Sequence, residues 1–353
     1  MSKIILDQKI NLDGYLVQDF GRPFIVAEIG QNHNGNIDFA KELIDIAVRC
    51  KANAVKFQKR DISSELTTEA YNKVYDNNNS FGDIYGKHRE FLEFDESQHL
   101  ELFQYAKSQN ITYFCTPCDL PSLEIMEKIG VPFYKVASRD LTNIPLLTEL
   151  GKLDKPVIIS TGMASYHDIE DALDKLNKKK DELIIMHCTS QYPCDIKNAH
   201  LNNIKTLKEK YGYLVGYSDH TNGTIISVAA SLLGASVIEK HITIDRAMRG
   251  TDHAGALEEV GLKSLINSID GVRLSLGDNE KIALECTQKA KNKLAKSLTS
   301  LRNIRKGEIL SEDMICLKSP GNGLMWRNRQ EIIGKKAKKN ISVDCTLLIN
   351  DFE

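Results

Sequence analysis

From residue 24 to about residue 280 the chain alternates short β-branched and aromatic runs with longer stretches of helical apolar spacing. The runs are FIVAEIG (24–30), AVKFQK (54–59), TYFCTP (112–117), FYKVAS (133–138), VIISTG (157–162), LIIMHC (183–188), LVGYSD (214–219) and SVIEKHI (236–242). Strands this continuously apolar are buried on both faces, as parallel sheets covered by helices require. Between the first two runs, IDFAKELIDIAVRC places Phe39, Leu43, Ile46 and Ala47 on one helical face. Eight such units in series predict an α/β fold, a (β/α)8 barrel of the TIM type. An open doubly wound sheet is the alternative, but no GxGxxG follows a strand as its dinucleotide-binding version would need.

Three departures from the regular alternation matter. A short β-rich start precedes the first barrel strand. The second connection, from about Asp61 to Asp95, is too long for a plain barrel loop, and its polar tract YNKVYDNNNSFGDIYGKHREFLEF reads equally as a binding loop or a disordered insertion. Near Gly277 the pattern changes to a polar helical stretch and then to turns and short apolar runs. The expected division is a catalytic barrel over 1–280 including the β-rich start, a linker over 281–296 and a small second domain over 297–353.

Hydrophobic residues make up 42% of the 353 residues, enough for a large core, and the 46 basic residues nearly balance the 48 acidic ones. Such balance gives no field that would attract nucleic acid or a membrane surface. The run containing Lys335, Lys336, Lys338 and Lys339 is expected to be a solvated face. MSKIILDQKI has neither a signal core nor a cleavage pattern, and no apolar run reaches membrane-spanning length, so a cytoplasmic enzyme is expected. The 8 cysteines are scattered, as suits a reducing compartment. Cys115 and Cys118 have CxxC spacing but lack the second pair that would point to zinc.

Barrels of this kind carry their chemistry at the carboxyl ends of the strands. Those ends hold Glu28; Lys56 and Gln58; Thr116; Lys135 and Ser138; Ser160; His187, Thr189 and Ser190; Ser218 and His220; and Glu239 and His241. His220 and His241 follow consecutive strands, so a barrel would bring their rings to one rim, where two neutral imidazoles suit Mn²⁺, Zn²⁺ or Fe²⁺. Two independent rim histidines remain the plainer explanation. His33 and His253 are further loop candidates. Lys56 and Lys135 lie inside apolar runs, where an unpaired ammonium is costly. Facing one cavity they would attract a phosphate or carboxylate; alternatively they form structural bridges with Glu28 and Glu239, or one is a Schiff-base lysine.

In order, the segments AEIGQNHNGN, KFQK, FCTPCD, FYKVAS, IISTGM, HCTSQYP, GYSDHT and IEKHIT, then SPGNG and IIGKKA, resemble the sialic acid synthase family across nearly the whole chain. The tail resembles the antifreeze-like (SAF) domain that ends its members. The resemblance implies condensation of phosphoenolpyruvate with N-acetylmannosamine and release of phosphate. It implies a divalent metal on His220 and His241, typically Mn²⁺, with Mg²⁺ or Co²⁺ as alternatives. Lys56, Thr116, Lys135, Ser138, Ser160, Ser190 and Ser218 would surround phosphoenolpyruvate, and Gln58, Tyr192 and Asp252 would contact the sugar. Glu28 would orient the sugar and the attacking water, and Glu239 joins Glu28, Lys56 and Lys135 in the catalytic set. It also implies a domain-swapped homodimer whose tail reaches the partner's barrel mouth.

Two substitutions depart from the family pattern: Ser319 replaces the tail arginine, with Lys318 or Arg327 as candidates for its role, and Ser190 replaces an asparagine. KFQK and the SFGDIYGKHREFLEF stretch look more like animal-type members acting on the 6-phosphorylated sugar, for which Lys59, Lys87, His88 and Arg89 are candidate ligands. The acceptor is therefore N-acetylmannosamine, its 6-phosphate, or a diacetylated trideoxy hexose of the legionaminate type. A Schiff-base aldolase and a non-catalytic glycan- or ice-binding protein are the rival classes.

Overall fold

The computed structural model describes residues 5–278 and 280–353. Its chain divides into two compact units, Met1–Gly277 and Asp278–Glu353. The first opens with a hairpin of β1 (Lys9–Leu12) and β2 (Tyr15–Gln18). Eight parallel strands follow: β3 (Phe24–Gly30), β4 (Ala54–Lys59), β5 (Thr112–Pro117), β6 (Tyr134–Val136), β7 (Val157–Ser160), β8 (Leu183–Cys188), β9 (Leu214–Asp219) and β10 (Val237–His241). They close into a barrel in sequence order, β10 pairing with β3.

The expected barrel is thus the observed one, with three strands shorter at the ends than the apolar runs suggested. The fourth stops at Val136 because Ser138–Asp140 turn into a 3-10 helix. The fifth stops at Ser160 and the eighth spans Val237–His241.

Two apolar layers hold the unit together. Phe24, Val26, Ala54, Phe114, Phe133, Ile158, Ile184, Met186, Leu214 and Val237 fill the barrel interior, joined by Ile10, Leu12 and Val17 of the hairpin. The hairpin side chains therefore belong to the inner core, and the barrel is a packed body rather than a pore. Outside, strand residues such as Ile25, Val55, Ile159 and Ile238 pack against the surrounding helices.

Helix α1 (Ile37–Cys50) starts where the Asn36 side chain accepts from the Asp38 and Phe39 N–H groups. It buries Ala40, Leu43, Ile44, Ile46, Ala47 and Cys50, a wider face than predicted, with Phe39 half-buried at its margin. The long second connection is folded: α2 (Ile62–Glu65), α3 (Thr68–Tyr71) and α4 (Tyr85–Leu92) occupy it, so it is not a disordered insertion.

The second unit has its own core, including Leu298, Ile304, Leu310, Ile332, Ala337, Leu347 and Phe352. Its β11 (Ser297–Ser300) pairs antiparallel with β12 (Ile315–Lys318). Residues 288–294, part of the polar stretch expected to be helical, form a helix. Lys335, Lys336, Lys338 and Lys339 are exposed. Ser319 donates to the Leu294 carbonyl at 3.1 Å, and Lys318 is paired with Asp344 inside the unit. Among the described residues no helix is long and apolar enough to cross a membrane.

Candidate active site

Side chains alternate across a strand, so along β9 and β10 Ser218, His220, Glu239 and His241 share one face while Asp219 and Lys240 share the other. Register then sets neighbours: His241 lies beside Glu28, Glu28 beside Lys56, and Glu239 beside Ser218. The result is a cavity of about 340 Å³ at the carboxyl ends of the strands. Glu28, Lys56, Gln58, Thr116, Lys135, Ser138, Ser160, Ser190, Tyr192, Ser218, His220, Glu239, His241 and Asp252 all line it. The cavity therefore brings together the residues that the resemblance assigned to the catalytic set, phosphoenolpyruvate, the sugar and the metal, but not three of the four candidate sugar-phosphate ligands.

Its floor carries alternating charges. Lys56 Nζ lies 2.9 Å from Glu28 Oε2 and 3.7 Å from Glu239 Oε2. Lys135 Nζ donates to both Glu239 oxygens at 3.2 and 3.3 Å. Thr116 accepts from Lys56 at 3.2 Å, Ser218 donates to Glu239 at 3.0 Å, and Gln58 donates to Glu28 at 2.8 Å. Both lysines are thus paired with glutamates, as the structural-bridge reading expected, and also line the cavity. Burial works against the charge on Lys56, but Glu239 and Glu28 outweigh it and raise the ammonium above its usual range. For Lys135 burial wins over Glu239, and its pKa is lowered. Burial also opposes ionisation of Glu239, and the two ammoniums overcome it to hold the carboxylate at about 2.

The His220 and His241 ring centroids lie 5.7 Å apart, and Tyr192 stands 4.3 Å from the His220 ring. Burial, then His241, push His220 down to about 3, so it is neutral and able to donate a lone pair. Each ring has a buried Nδ1 without a hydrogen-bond partner. Buried orphan nitrogens on two adjacent imidazoles fit a divalent ion. Among the described residues no group of three or more His, Cys, Asp or Glu side chains is arranged to hold one, so further ligands would come from substrate oxygens or water.

Other candidates lie outside the cavity. His33 stacks on Phe94 with centroids 4.0 Å apart, and His253 contacts Thr243 at 2.7 Å and Asn34 at 3.2 Å. His187 contacts the Ala199 carbonyl at 2.8 Å, and Thr189 donates to the Asn198 carbonyl at 2.7 Å. All four brace loops. Of the proposed phosphate ligands, Lys59 donates to the Arg60 carbonyl, exposed Lys87 pairs with Glu90 at 2.8 Å, and His88 is buried among aromatic rings. Arg89 alone of these four reaches the cavity. Cys115 and Cys118 are free buried thiols, and Cys118 accepts from Arg139 at 2.9 Å.

Sequence reasoning missed Gln31, Arg60, Arg139, Met163, Cys188 and Thr251, which complete the wall. Arg60 and Arg139 sit one and three residues past their strands. Charged residues there ordinarily reach solvent, so only the burial of Arg60 and the partners of both mark them out. Arg60 pairs with Glu93 at 2.8 Å, and Arg139 with Glu65 at 2.7 Å.

Comparison with known proteins gives this arrangement its relatives. N,N'-diacetyllegionaminic acid synthase of Campylobacter jejuni is 39% identical over 92% of this chain and 98% of its own. N-acetylneuraminate-9-phosphate synthase of Drosophila melanogaster is 36% identical, over 93% of this chain and 95% of its own. A crystal structure of N-acetylneuraminic acid (sialic acid) synthetase from Leptospira borgpetersenii superposes with a TM-score of 0.71 at 34% identity, covering 82% of this chain and 96% of that one. Residues 295–353 match the SAF domain. Residues 43–281 match the NeuB family, and the chain belongs to it: a family of sialic-, legionaminic- and pseudaminic-type acid synthases.

Proposed function

We propose that the protein condenses phosphoenolpyruvate with the open-chain form of a mannosamine-type sugar, taking up water and releasing inorganic phosphate and a nonulosonic acid. N-acetylmannosamine is the parent acceptor; its 6-phosphate and the diacetylated trideoxy hexoses are the variants that the relatives' names put beside it. The observation that carries the reading is the meeting of two buried lysines, two glutamates and two imidazoles with unpartnered Nδ1 atoms in one cavity.

Lys56 and Lys135, with Thr116, Ser138, Ser160, Ser190 and Ser218, bind the phosphate and carboxylate of phosphoenolpyruvate. Gly162 N–H donates to Ser138 Oγ at 2.9 Å and so fixes that hydroxyl. Gln58, Tyr192 and Asp252 orient the sugar so that C3 of phosphoenolpyruvate faces its aldehyde carbon. A divalent ion on His220 and His241, Mn²⁺ or alternatively Mg²⁺ or Co²⁺, would polarise the aldehyde oxygen as a Lewis acid. As the C–C bond forms, positive charge develops at C2, opposite the carboxylates of Glu28 and Glu239. Glu28, held by Gln58, takes a proton from the water that adds at C2. The resulting tetrahedral phosphate ester breaks its C–O bond, the electron pair leaving with phosphate, whose charge the lysines stabilise.

The assay is phosphate release over a panel of N-acetylmannosamine, its 6-phosphate and the diacetylated sugars. Phosphoenolpyruvate labelled with ¹⁸O in the bridging position should deliver the label to phosphate. Label retained in the sugar acid, or no release with any acceptor, removes the reading. Borohydride trapping with pyruvate on Lys56 or Lys135 would instead favour an aldolase. The homodimer belongs to the same proposal, and sedimentation at micromolar concentration tests it.

A further inference from the structure

The barrel is not equally closed all round. β5 and β6 share one register pair, Cys115 with Tyr134, whereas every other pair of neighbouring strands shares three to six. The ladder therefore stops before Thr116 on one strand and Lys135 on the other, and the proposed phosphoenolpyruvate subsite straddles the gap. Regular main-chain bonds hold neighbouring strands at a fixed spacing; where they are few, side chains must set it.

Arg139 spans this gap. It stands beside Ser138 in the turn after β6, and its Nη2 donates to Cys118 Sγ at 2.9 Å, one residue past the end of β5. Nη1 pairs with Glu65 at 2.7 Å, and Nε lies 3.4 Å from Asp140 Oδ2. Glu65 ends α2, and its other oxygen lies 3.7 Å from Arg60 Nε. One guanidinium thus joins the connections that follow β4, β5 and β6. Arg139 lines the cavity, but each nitrogen of its fork already meets a protein partner, which suits a clasp rather than a substrate ligand. Between β4 and β5 the main chain closes the mouth itself: Cys118 N–H donates to the Lys59 carbonyl at 3.0 Å, and Asp61 N–H to Asp119 at 2.7 Å. Resting on the synthase reading, we propose that Arg139 is a positioning residue for phosphoenolpyruvate. It staples the β5–β6 seam at the cavity mouth, with Glu65 as its second anchor, and so sets the spacing between Thr116 and Ser138.

The test measures KM for phosphoenolpyruvate and for the best acceptor of the panel, and calorimetric affinity for phosphoenolpyruvate with Mn²⁺ present. The proteins compared are wild type, Arg139→Met, Arg139→Lys and Glu65→Gln. Arg139→Met should raise KM for phosphoenolpyruvate about 10–100-fold and leave KM for the sugar within about twofold. Arg139→Lys should lie between, because an ammonium keeps the Glu65 pair and loses the fork that reaches Cys118. Glu65→Gln gives the deciding sign: a clasp that loses an anchor weakens phosphoenolpyruvate binding, whereas a substrate ligand released from its carboxylate would strengthen it. Tighter binding in Glu65→Gln therefore overturns the assignment, as does an unchanged KM in Arg139→Met. An equal rise in both KM values that tracks a lower melting temperature also overturns it, since Arg139 would then serve the fold alone. If Arg139→Met does not fold, Arg139→Lys and Glu65→Gln carry the same comparison. Wild-type protein that binds phosphoenolpyruvate yet releases no phosphate with any acceptor removes the synthase reading and leaves the affinities to judge the clasp. Wild-type protein that binds no phosphoenolpyruvate sinks both.

Discussion

Lys135 and Glu239 are both nearly inaccessible, yet their removal should have different consequences. Lys135→Met leaves Glu239 still facing Lys56 at 3.7 Å and accepting from Ser218. Stability should fall little, while kcat/KM for phosphoenolpyruvate falls on the order of a hundredfold or more. Glu239→Gln leaves Lys135 buried without a carboxylate, so urea unfolding should show a loss of about 3–5 kcal/mol. Gly162 offers a second test. A Cβ there would lie 2.5 Å from Ser190 Oγ, 2.8 Å from Cys188 Sγ and 2.9 Å from Ser138 Oγ. Gly162→Ala must displace these groups, and KM for phosphoenolpyruvate should rise at least about tenfold; an unchanged KM would take Ser138 and Ser190 out of that subsite. The sequence made these strand-end residues legible because alternation sends every second side chain inward. Arg60, Arg89 and Arg139 were harder to read, since a charged residue on a connection has no periodicity to say whether it meets solvent or the cavity.

The barrel strands were legible as elements because parallel strands buried on both faces leave nearly uninterrupted apolar runs. Their ends were less so: Ala137 and Ser138 continue the apolar pattern, but the backbone turns into a 3-10 helix there. The second connection lacked any such pattern, and only the folded chain shows α2, α3 and α4 in it. Less visible still was the pairing behind the histidines. Asp219 and Lys240 fall on the opposite side of their strands from His220 and His241 and meet at 2.9 Å, 1% exposed or less. Lys240 also donates to the Thr221 carbonyl, so its ammonium holds the chain on both sides of His220. Asp219 accepts in addition from the Thr221 N–H at 2.8 Å and from Ser227 Oγ at 2.5 Å. An ion pair placed in an otherwise apolar layer contributes little net stability, but it fixes the direction of both strand ends. Lys240→Met alone should cost about 3–5 kcal/mol by stranding Asp219, and Asp219→Leu with Lys240→Met should recover most of it. Mn²⁺ affinity, measured by electron paramagnetic resonance, should remain about 10–100-fold weaker in the double variant. Wild-type affinity there would mean that the pair does not position the imidazoles.

At the scale of the whole molecule, the acid side of the stability curve follows from histidines buried uncharged. His33, packed between Phe57 and Phe94, and His99, in contact with Tyr113 Oη at 2.6 Å, are each pushed down to about 3, chiefly by burial. In the unfolded chain both titrate at the ordinary value near 6.5. The unfolded state therefore takes up protons first as pH falls, and stability declines from about pH 6.5 down towards pH 3, below which the folded groups titrate too. By pH 5 each histidine should have cost about 2 kcal/mol relative to pH 7.5. Few carboxylates titrate between those values, so the slope in this window belongs mainly to imidazoles. Urea unfolding at pH 7.5, 6 and 5 should show a falling midpoint with little change in denaturant slope. His99→Phe, which keeps an aromatic ring against Phe57 and Phe94, should lower stability at pH 7.5 by losing the Tyr113 hydrogen bond. It should also flatten the decline between pH 6.5 and pH 5 by about 2 kcal/mol. A variant as acid-sensitive as the parent would show that His99 is accessible to protons in the folded state, contrary to its 1% exposure.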